Sequence, residues 1–430
     1  MAEVDPWMIG DSPAMTELAD QQYSLRPILV SAFGPALMFG VAEGAVLPVV
    51  ALTARDLGAS VATASVVVAL IGVGSLISNV PSAYITTRYG ERAAIIGAGA
   101  ISAVAMLVAL AAPNVAVLGL AMLMIGLANA VFLLARQTYL TESVPLHLRA
   151  RALSTLGGTA RIGLFIGPFV GALVISLSGI RAAYLVACAA AVIAGLIAVF
   201  STNLVATHPA PGDAPKTTSI RTVLRSHRRV FLTVGIGILL ISAVRSSRQV
   251  VIPLWAEHLQ LSPSATSLIY GLSGAVDMLV FYPAGKLMDQ RGRQWVVLPS
   301  MLLMGLSLIL LPLSSSFLTL LVPALTLGFG NGIGAGMVAT MGADLAPPGA
   351  RPSFLGIWRL LSDAGNCGGP VLLSAITGLA SLAAGIVTNG AIGFVAAVIV
   401  WFWLPRSEAG RPAPRIGGLV EASGVSAPAD

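Results

Sequence analysis

Eight ionisable side chains stand inside otherwise apolar stretches of this chain: Glu43, Arg136, Arg161, Arg245, Arg248, Asp277, Arg359 and Asp363. A charge placed in hydrocarbon costs several kcal/mol, so such groups must face a wet cavity or one another. The chemistry open to them is proton uptake, ion pairing or contact with a charged ligand. Glu43 is the leading titratable acid. It lies about 17 residues, or ~25 Å of helix, beyond Arg26. Arg248 falls at a matching height in a later stretch, with Arg245 one turn lower. An ion pair from Glu43 to Arg245 or Arg248 is therefore expected, either for proton coupling or as a plain structural salt bridge. Arg359 and Asp363 are four apart, on one helix face, where local neutralisation is the simpler role and substrate contact the second. Asn129 and Asn331 are candidates for a polar cavity or for hydrogen bonds between helices. Other chemistry is thin. His147, His208, His227 and His258 have no metal-ligand spacing. The phosphate-binding pattern G-x-x-x-x-G-K-[ST] is missing, and so is a nucleophile–base pair. The expectation is a protein that is not an enzyme and has no metal or cofactor.

The elements that must carry these groups follow from composition. Of 430 residues, 56% are hydrophobic and 10% charged, and the mean hydropathy is +0.89. A single water-soluble core and a disordered chain are both excluded. Two cysteines, Cys188 and Cys367, make no disulfide scaffold. The apolar stretches are too long for the alternating strands of a porin-type barrel. Twelve of them suffice to cross a ~30 Å hydrocarbon layer as helices. With the N-terminus in the cytoplasm, seventeen Lys and Arg fall on the inner side, two (Arg55 and Arg181) on the outer side, and five inside spans. That imbalance puts both termini on the cytoplasmic side, and it explains the net charge of +6 without nucleic acid as a partner. Residues 1–25 carry five acids with Pro6 and Pro13, a polar tail rather than a cleaved signal.

The expected organisation is a cytoplasmic tail (1–27), six spans (28–203), a linker (204–230), six more spans (231–404) and a second tail (405–430). The linker ends in the basic segment SIRTVLRSHRRV, suited to an anionic leaflet or simply to setting topology. The two halves are related at an offset of 202 residues: Gly126 falls on Gly328, Asn129 on Asn331, Pro145 on Pro347, Arg149 on Arg351 and Glu142 on Asp344. Gly163, Gly167 and Pro168 fall on Gly365, Gly369 and Pro370. A parallel repeat of six spans implies two bundles about an axis normal to the membrane.

Two motifs sit in this frame. GKLMDQRGRQ, after the eighth span, contains Gly285, Asp289, Gly292 and Arg293 as G-x-x-x-D-x-x-G-R. It resembles the cytoplasmic loop motif of the major facilitator superfamily, and span count and repeat extend the resemblance over essentially the whole chain. The resemblance implies twelve helices in two pseudo-symmetric six-helix bundles around a central cavity, a monomer, and transport by alternating access. It also implies that Asp289 braces the outward-facing state. The first-half loop, AYITTRYGER, keeps Arg88, Gly90 and Arg92 but has Ala83 and Thr87 in place of the glycine and aspartate, so the brace there should be weaker. By the same resemblance Glu142 and Asp344 would pair with Arg92 and Arg293. The fifth and eighth spans pack between the bundles in this family, which makes Arg161 and Asp277 an expected inter-bundle pair. The second motif is GLFIGPFVGA, with Gly163, Gly167, Pro168 and Gly171. It resembles the motif of the family's drug–proton antiporters, against the alternative of ordinary small-residue packing. The eleventh span echoes it in GNCGGP but has Leu373 where Gly171 has its equivalent. The family's usual mid-span arginine in the fourth span is replaced by Met122, so its proton-relay role is not carried over. GNGIGAG at 330–336 is expected to be a helix-packing glycine face.

The resulting expectation is proton-coupled export of small amphipathic or drug-like molecules across the inner (plasma) membrane. The alternatives are uptake or exchange of a small metabolite, an organic anion given five in-span arginines against three acids, and a membrane sensor or scaffold that transports nothing.

Overall fold

Apolar runs of this length can satisfy their backbone groups inside a membrane only by coiling. In the computed structural model, which describes residues 29–144, 146–201, 220–347 and 350–404, they do so throughout. The first half contains α1 (Leu29–Asp56), α2 (Val61–Leu110), α3 (Val115–Ser143), α4 (Leu146–Ser178) and α5 (Ala182–Phe200). A short helix, α6 (Ile220–Ser226), and a π-helical turn at Phe231–Gly235 lead into the second half. There follow α7 (Ile236–His258), α8 (Pro263–Arg291), α9 (Gln294–Leu310), α10 (Phe317–Ile333), α11 (Met337–Leu345), α12 (Arg351–Leu379) and α13 (Leu382–Trp403). The two tails, residues 202–219 of the linker, and the side chains of Glu142 and Asp289 lie outside the described residues.

Among the described residues, eleven segments are long and apolar enough to cross a membrane. The twelfth crossing is α12, 29 residues long and less apolar because it carries Arg359 and Asp363. Below, the face bearing α6 is called the linker face and the opposite one the far face. On the far face, turns are tied down by caps. Side-chain oxygens of Ser60, Asn114, Ser262, Ser316 and Ser381 each accept from a backbone N–H in the first turn of the helix that follows.

The halves pack alike. α1 lies against α4 as α7 lies against α12, and α2 against α3 as α8 against α10. The match extends to atoms. A side chain at Gly163 would strike the Leu37 carbonyl, and one at Gly365 the Leu239 carbonyl. Gly167 meets the Val41 carbonyl as Gly369 meets that of Ala243. In each pair both partners are related by the sequence offset, so the antiporter-like glycines are contact points where backbones touch. At Gly171 a methyl would lie 3.4 Å from the Ala45 carbonyl, an ordinary contact. The helices have begun to part there, and this is the position at which the second half tolerates Leu373. The bundles meet through α4 with α8, α2 with α12, and α1 with α7.

Two expectations are corrected. The second and third spans are not separated by an open loop: α2 runs through both and turns at Gly90 alone. Gly90 has φ +80° and its equivalent Gly292 φ +96°, a backbone that residues with a Cβ rarely adopt, so the glycine does the work expected of several loop residues. The tenth span is not one helix. Gly330 and Gly332 do pack, against Met304 and Asp277, but Gly336 takes φ +78° and breaks the span into α10 and α11.

Gly167→Leu should force the α1–α4 contact apart, at a cost of about 1–3 kcal/mol. Gly171→Ala should be nearly neutral. Thermal unfolding in detergent checks both: the leucine variant loses several degrees or fails to fold, while the alanine variant melts with the parent.

Candidate functional site

Asp277, on α8, is the centre of a charge network between the bundles. It is 5% exposed. Its Oδ1 accepts from Arg161 Nη1 of α4 at 3.0 Å. Its Oδ2 lies 3.6 Å from Arg248 Nη2 of α7 and accepts from the Asn331 amide of α10. Asn331 in turn accepts from Arg245 Nε through its own oxygen, at 2.9 Å. Arg245 Nη1 donates to the Gly334 carbonyl at 2.7 Å. That carbonyl is available because the glycine run ends α10 there, a discontinuity of the kind found at membrane binding sites. Arg248 also donates to Ser273 Oγ, at 3.4 Å, and lies over the Tyr270 ring. Two guanidiniums thus share one carboxylate, a third joins it through Asn331, and the cluster keeps an excess of positive charge.

The structure brings Arg161 and Asp277 together but not Glu43 and the arginines of α7. Arg245 and Arg248 lie on the face of α7 turned to α8 and α10, and Asp277 and Asn331 occupy them. The expected pair from Glu43 to either one does not form. Arg359 Nε is 3.8 Å from Asp363 Oδ2, yet the same oxygen accepts from Asn79 Nδ2 of α2 at 2.7 Å. Asp363 is therefore an inter-bundle residue and not merely a local neutraliser. A cleft of about 340 Å³ opens beside it, lined by Asn79, Ser82, Leu134, Gly356, Ile357, Arg359 and Leu360.

Glu43 belongs to a different place. With Asn129 it lines a small cavity inside the first bundle, among Phe39, Val46, Ile71, Ser102 and Met106. Asn129 and Asn331 are equivalent in the repeat but serve separate sites. Arg136 is fully buried lower in the first bundle, where Nη1 donates to the Ser31 carbonyl at 2.8 Å and Phe132 stacks nearby.

On the far face, Arg55 Nε bonds to Glu257 Oε1 at 2.8 Å and joins α1 to α7. Sequence reasoning noted Arg55 without its partner, although the two stand 202 residues apart, at equivalent positions of the repeat. Ser374 Oγ donates to the Ala62 carbonyl and Ser264 Oγ to that of Ala172, closing the same face. On the linker face Arg293 pairs with Asp344 at 2.7 Å, within one bundle. Arg92 donates instead to the carbonyls of Ala198 and Val199 at the end of α5. Arg88 is exposed, Gly285 lies near the end of α8, and Asp289 and Glu142 carry no described side chain.

A helical membrane protein of two similar bundles, with charges buried where they meet, has the architecture of a secondary transporter. The sequence profile of the Major Facilitator Superfamily matches residues 33–247 and again 234–427, and the chain belongs to that family. It is a multi-pass membrane transporter of small molecules and not an enzyme. The chain is 25% identical over 311 residues to "Multidrug resistance protein MdtH" of Klebsiella pneumoniae (strain 342), covering 70% of this chain and 75% of that protein. A second MdtH, of Enterobacter sp. (strain 638), is 29% identical over 171 residues, 38% of this chain and 42% of that protein. "Multidrug resistance protein MdtG" of Enterobacter lignolyticus (strain SCF1) is 30% identical over 163 residues, 37% and 39% of the two chains. Those last two alignments span less than half of the relatives' length. In fold, the chain is similar to a D-xylose-proton symporter (TM-score 0.72, 16% identity, 90% and 100% of the two chains). It is also similar to a bacterial homologue of the human lysosomal transporter Spinster (TM-score 0.73, 13% identity, 87% and 96%).

Removing one partner of a buried ion pair costs about 3–5 kcal/mol. Asp277→Asn should therefore destabilise strongly, and Arg161→Gln, whose side chain is 28% exposed, much less. The charge swap of Arg161→Asp with Asp277→Arg should not restore function, against the simple pair expected from sequence, because Arg248 and Arg245 would then face a third cation. Melting curves and transport assays on the singles and the double check this. For Arg55→Glu and Glu257→Arg, a double-mutant cycle should return a coupling of about 0.2–1 kcal/mol, as the pair is only part-buried.

Proposed function

We propose that the protein is a proton-driven exporter of small amphipathic molecules, working by alternating access in a bacterial inner membrane with both termini in the cytoplasm. The cleft beside Asn79 and Arg359 carries this conclusion. Its volume of about 340 Å³ suits a drug-sized ligand, and its lining is mainly apolar with a few polar groups to orient one. Basic residues crowd the linker face, including Arg221, Arg225, Arg228 and Arg229 of the linker, which supports a cytoplasmic placement for it. The Arg55–Glu257 pair then shuts the outer side, and the cleft receives substrate from within. The names of the relatives, multidrug resistance proteins, support the same substrate class.

Glu43 is the acid best placed to carry the coupling proton. It has no ion pair or hydrogen bond among the described residues, and Tyr270 of α8 lies within its electrostatic reach. A carboxylate left bare in an apolar bundle is costly, so it gains by taking up a proton when the cavity loses water. A second substrate class, small organic anions, is favoured by one observation: three arginines cluster around a single carboxylate, Arg161 and Arg248 on Asp277 itself and Arg245 linked to it through Asn331.

In proteoliposomes with an imposed pH gradient, protons moving inward should drive dye export. Export by Glu43→Gln should lose its dependence on the gradient and fall at least to the passive rate. Retention of the normal pH profile in that variant would remove Glu43 from the coupling role. Counterflow of organic anions with no movement of dyes would establish the second substrate class.

A further inference from the structure

Where α9 begins and α13 ends, on the linker face, the second bundle holds a groove of about 440 Å³. It shares no residue with the inter-bundle cleft or the Asp277 network. Its lining divides by chemistry: Arg291, Arg293 and Gln294 are the polar members, and Trp295, Leu298, Pro299 and Trp401 form an apolar wall. Gln294 Nε2 donates to the Leu404 carbonyl at 2.9 Å and ties the two helices together at this end. Further along they touch again, where a side chain at Gly305 would strike the Gly390 carbonyl. Arg293 is held by Asp344. Arg291 is exposed and has no hydrogen bond or ion pair among the described residues. Both indoles are exposed as well. An exposed apolar stripe leads away from the groove: Leu302, Leu306 and Leu310 of α9 follow Leu298 at four-residue steps, and Val395 and Val398 of α13 precede Trp401.

We propose that this groove binds an anionic phospholipid of the leaflet on the linker face, with its phosphate against Arg291 and an acyl chain along the stripe between α9 and α13. An uncommitted cation beside an apolar wall matches a molecule that is anionic at one end and hydrocarbon at the other. The guanidinium fork fits phosphate oxygens, and indoles settle at the headgroup level of a bilayer. A soluble anion would gain nothing from the leucine and valine stripe. A zwitterionic lipid would bring its own cation up to Arg291, so charge complementarity selects a headgroup of net negative charge. The repeat sharpens the assignment. At the offset of 202, Arg291 corresponds to Tyr89, Arg293 to Glu91, Trp295 to Ala93 and Trp401 to Val199. The first bundle makes the same turn at Gly90 without the free cation or the indoles, and its Arg92 is occupied by the carbonyls of Ala198 and Val199. The lipid lies against the second bundle alone, and its binding depends on neither the substrate nor the coupling ion.

The test places the purified full chain in phosphatidylcholine nanodiscs doped with a minor fraction of brominated lipid, whose acyl bromines quench the indoles they touch. Brominated phosphatidylglycerol should quench more than brominated phosphatidylcholine at the same fraction. Replacing both indoles, Trp295→Phe with Trp401→Phe, should remove that excess. Arg291→Ala should raise the fraction of phosphatidylglycerol needed for half-quenching by about fivefold, the order expected for one basic residue at an anionic surface. Arg291→Lys should keep most of the excess, and Arg225→Ala, which removes an equal charge from α6, should leave it intact. Inorganic phosphate in the buffer should not displace the lipid. Equal quenching by the two lipids in the parent protein, or parental behaviour in Arg291→Ala, overturns the site. So does an excess that survives without Trp295 and Trp401, which puts the lipid elsewhere. A loss as large in Arg225→Ala as in Arg291→Ala overturns it in favour of diffuse attraction to a basic face, and displacement by phosphate overturns it in favour of a soluble anion.

Discussion

One carboxylate paired with two guanidiniums and tied to a third through an asparagine, in a medium that penalises charge, constrains much of this molecule. Asp277 sits where α4, α7, α8 and α10 converge: it accepts from Arg161 and Asn331 and forms an ion pair with Arg248. Each partner has its charge or dipole answered only if the helices keep their present separation. The same group is therefore both a fastener between bundles and a reason for their relative position. Water or an anionic ligand that reached Arg161 or Arg245 would compete for the bonds that now define this arrangement.

The repeat explains how so few charges are positioned so well. Equivalent glycines bring equivalent backbones into contact in both bundles, and equivalent left-handed glycines turn the chain at Gly90 and Gly292. Against this shared scaffold the two halves have specialised. The second bundle supplies most of the arginine-rich network, which Arg161 of the first joins. The first holds a lone acid in an apolar cavity. Arg55 and Glu257, at matching positions, use the symmetry itself to make a contact across the axis.

Much of this was legible in the sequence. Hydropathy gave the spans, and the constant offset gave the two bundles and their glycine contacts. The pairing of Arg161 with Asp277 was reachable once the fifth and eighth spans were taken as neighbours. Three features were not. Helix rotation decides partners, and it turns Arg245 and Arg248 away from Glu43, which height along the helix does not reveal. Ser102 and Asn79 are ordinary polar residues in spans, and only their convergence with Glu43 and Asp363 makes them notable. The break at Gly336 was hidden because a glycine-rich run in a membrane helix fits close packing and left-handed backbone equally well. The Arg55–Glu257 contact was within reach, since the offset that aligned glycines also aligns these two.

The interruption between α10 and α11 ties the electrostatics to the linker face. Trp358 of α12 donates to the Val338 carbonyl, so α11 is fastened to α12. Two residues earlier than Gly336, the Gly334 carbonyl holds Arg245. A swing of α12 that drags α11 must therefore tug at the hinge whose oxygen holds that arginine. The short segment has the geometry of a crank, by which displacement at the linker-face opening would change the strength of a bond near the molecule's middle, and the reverse.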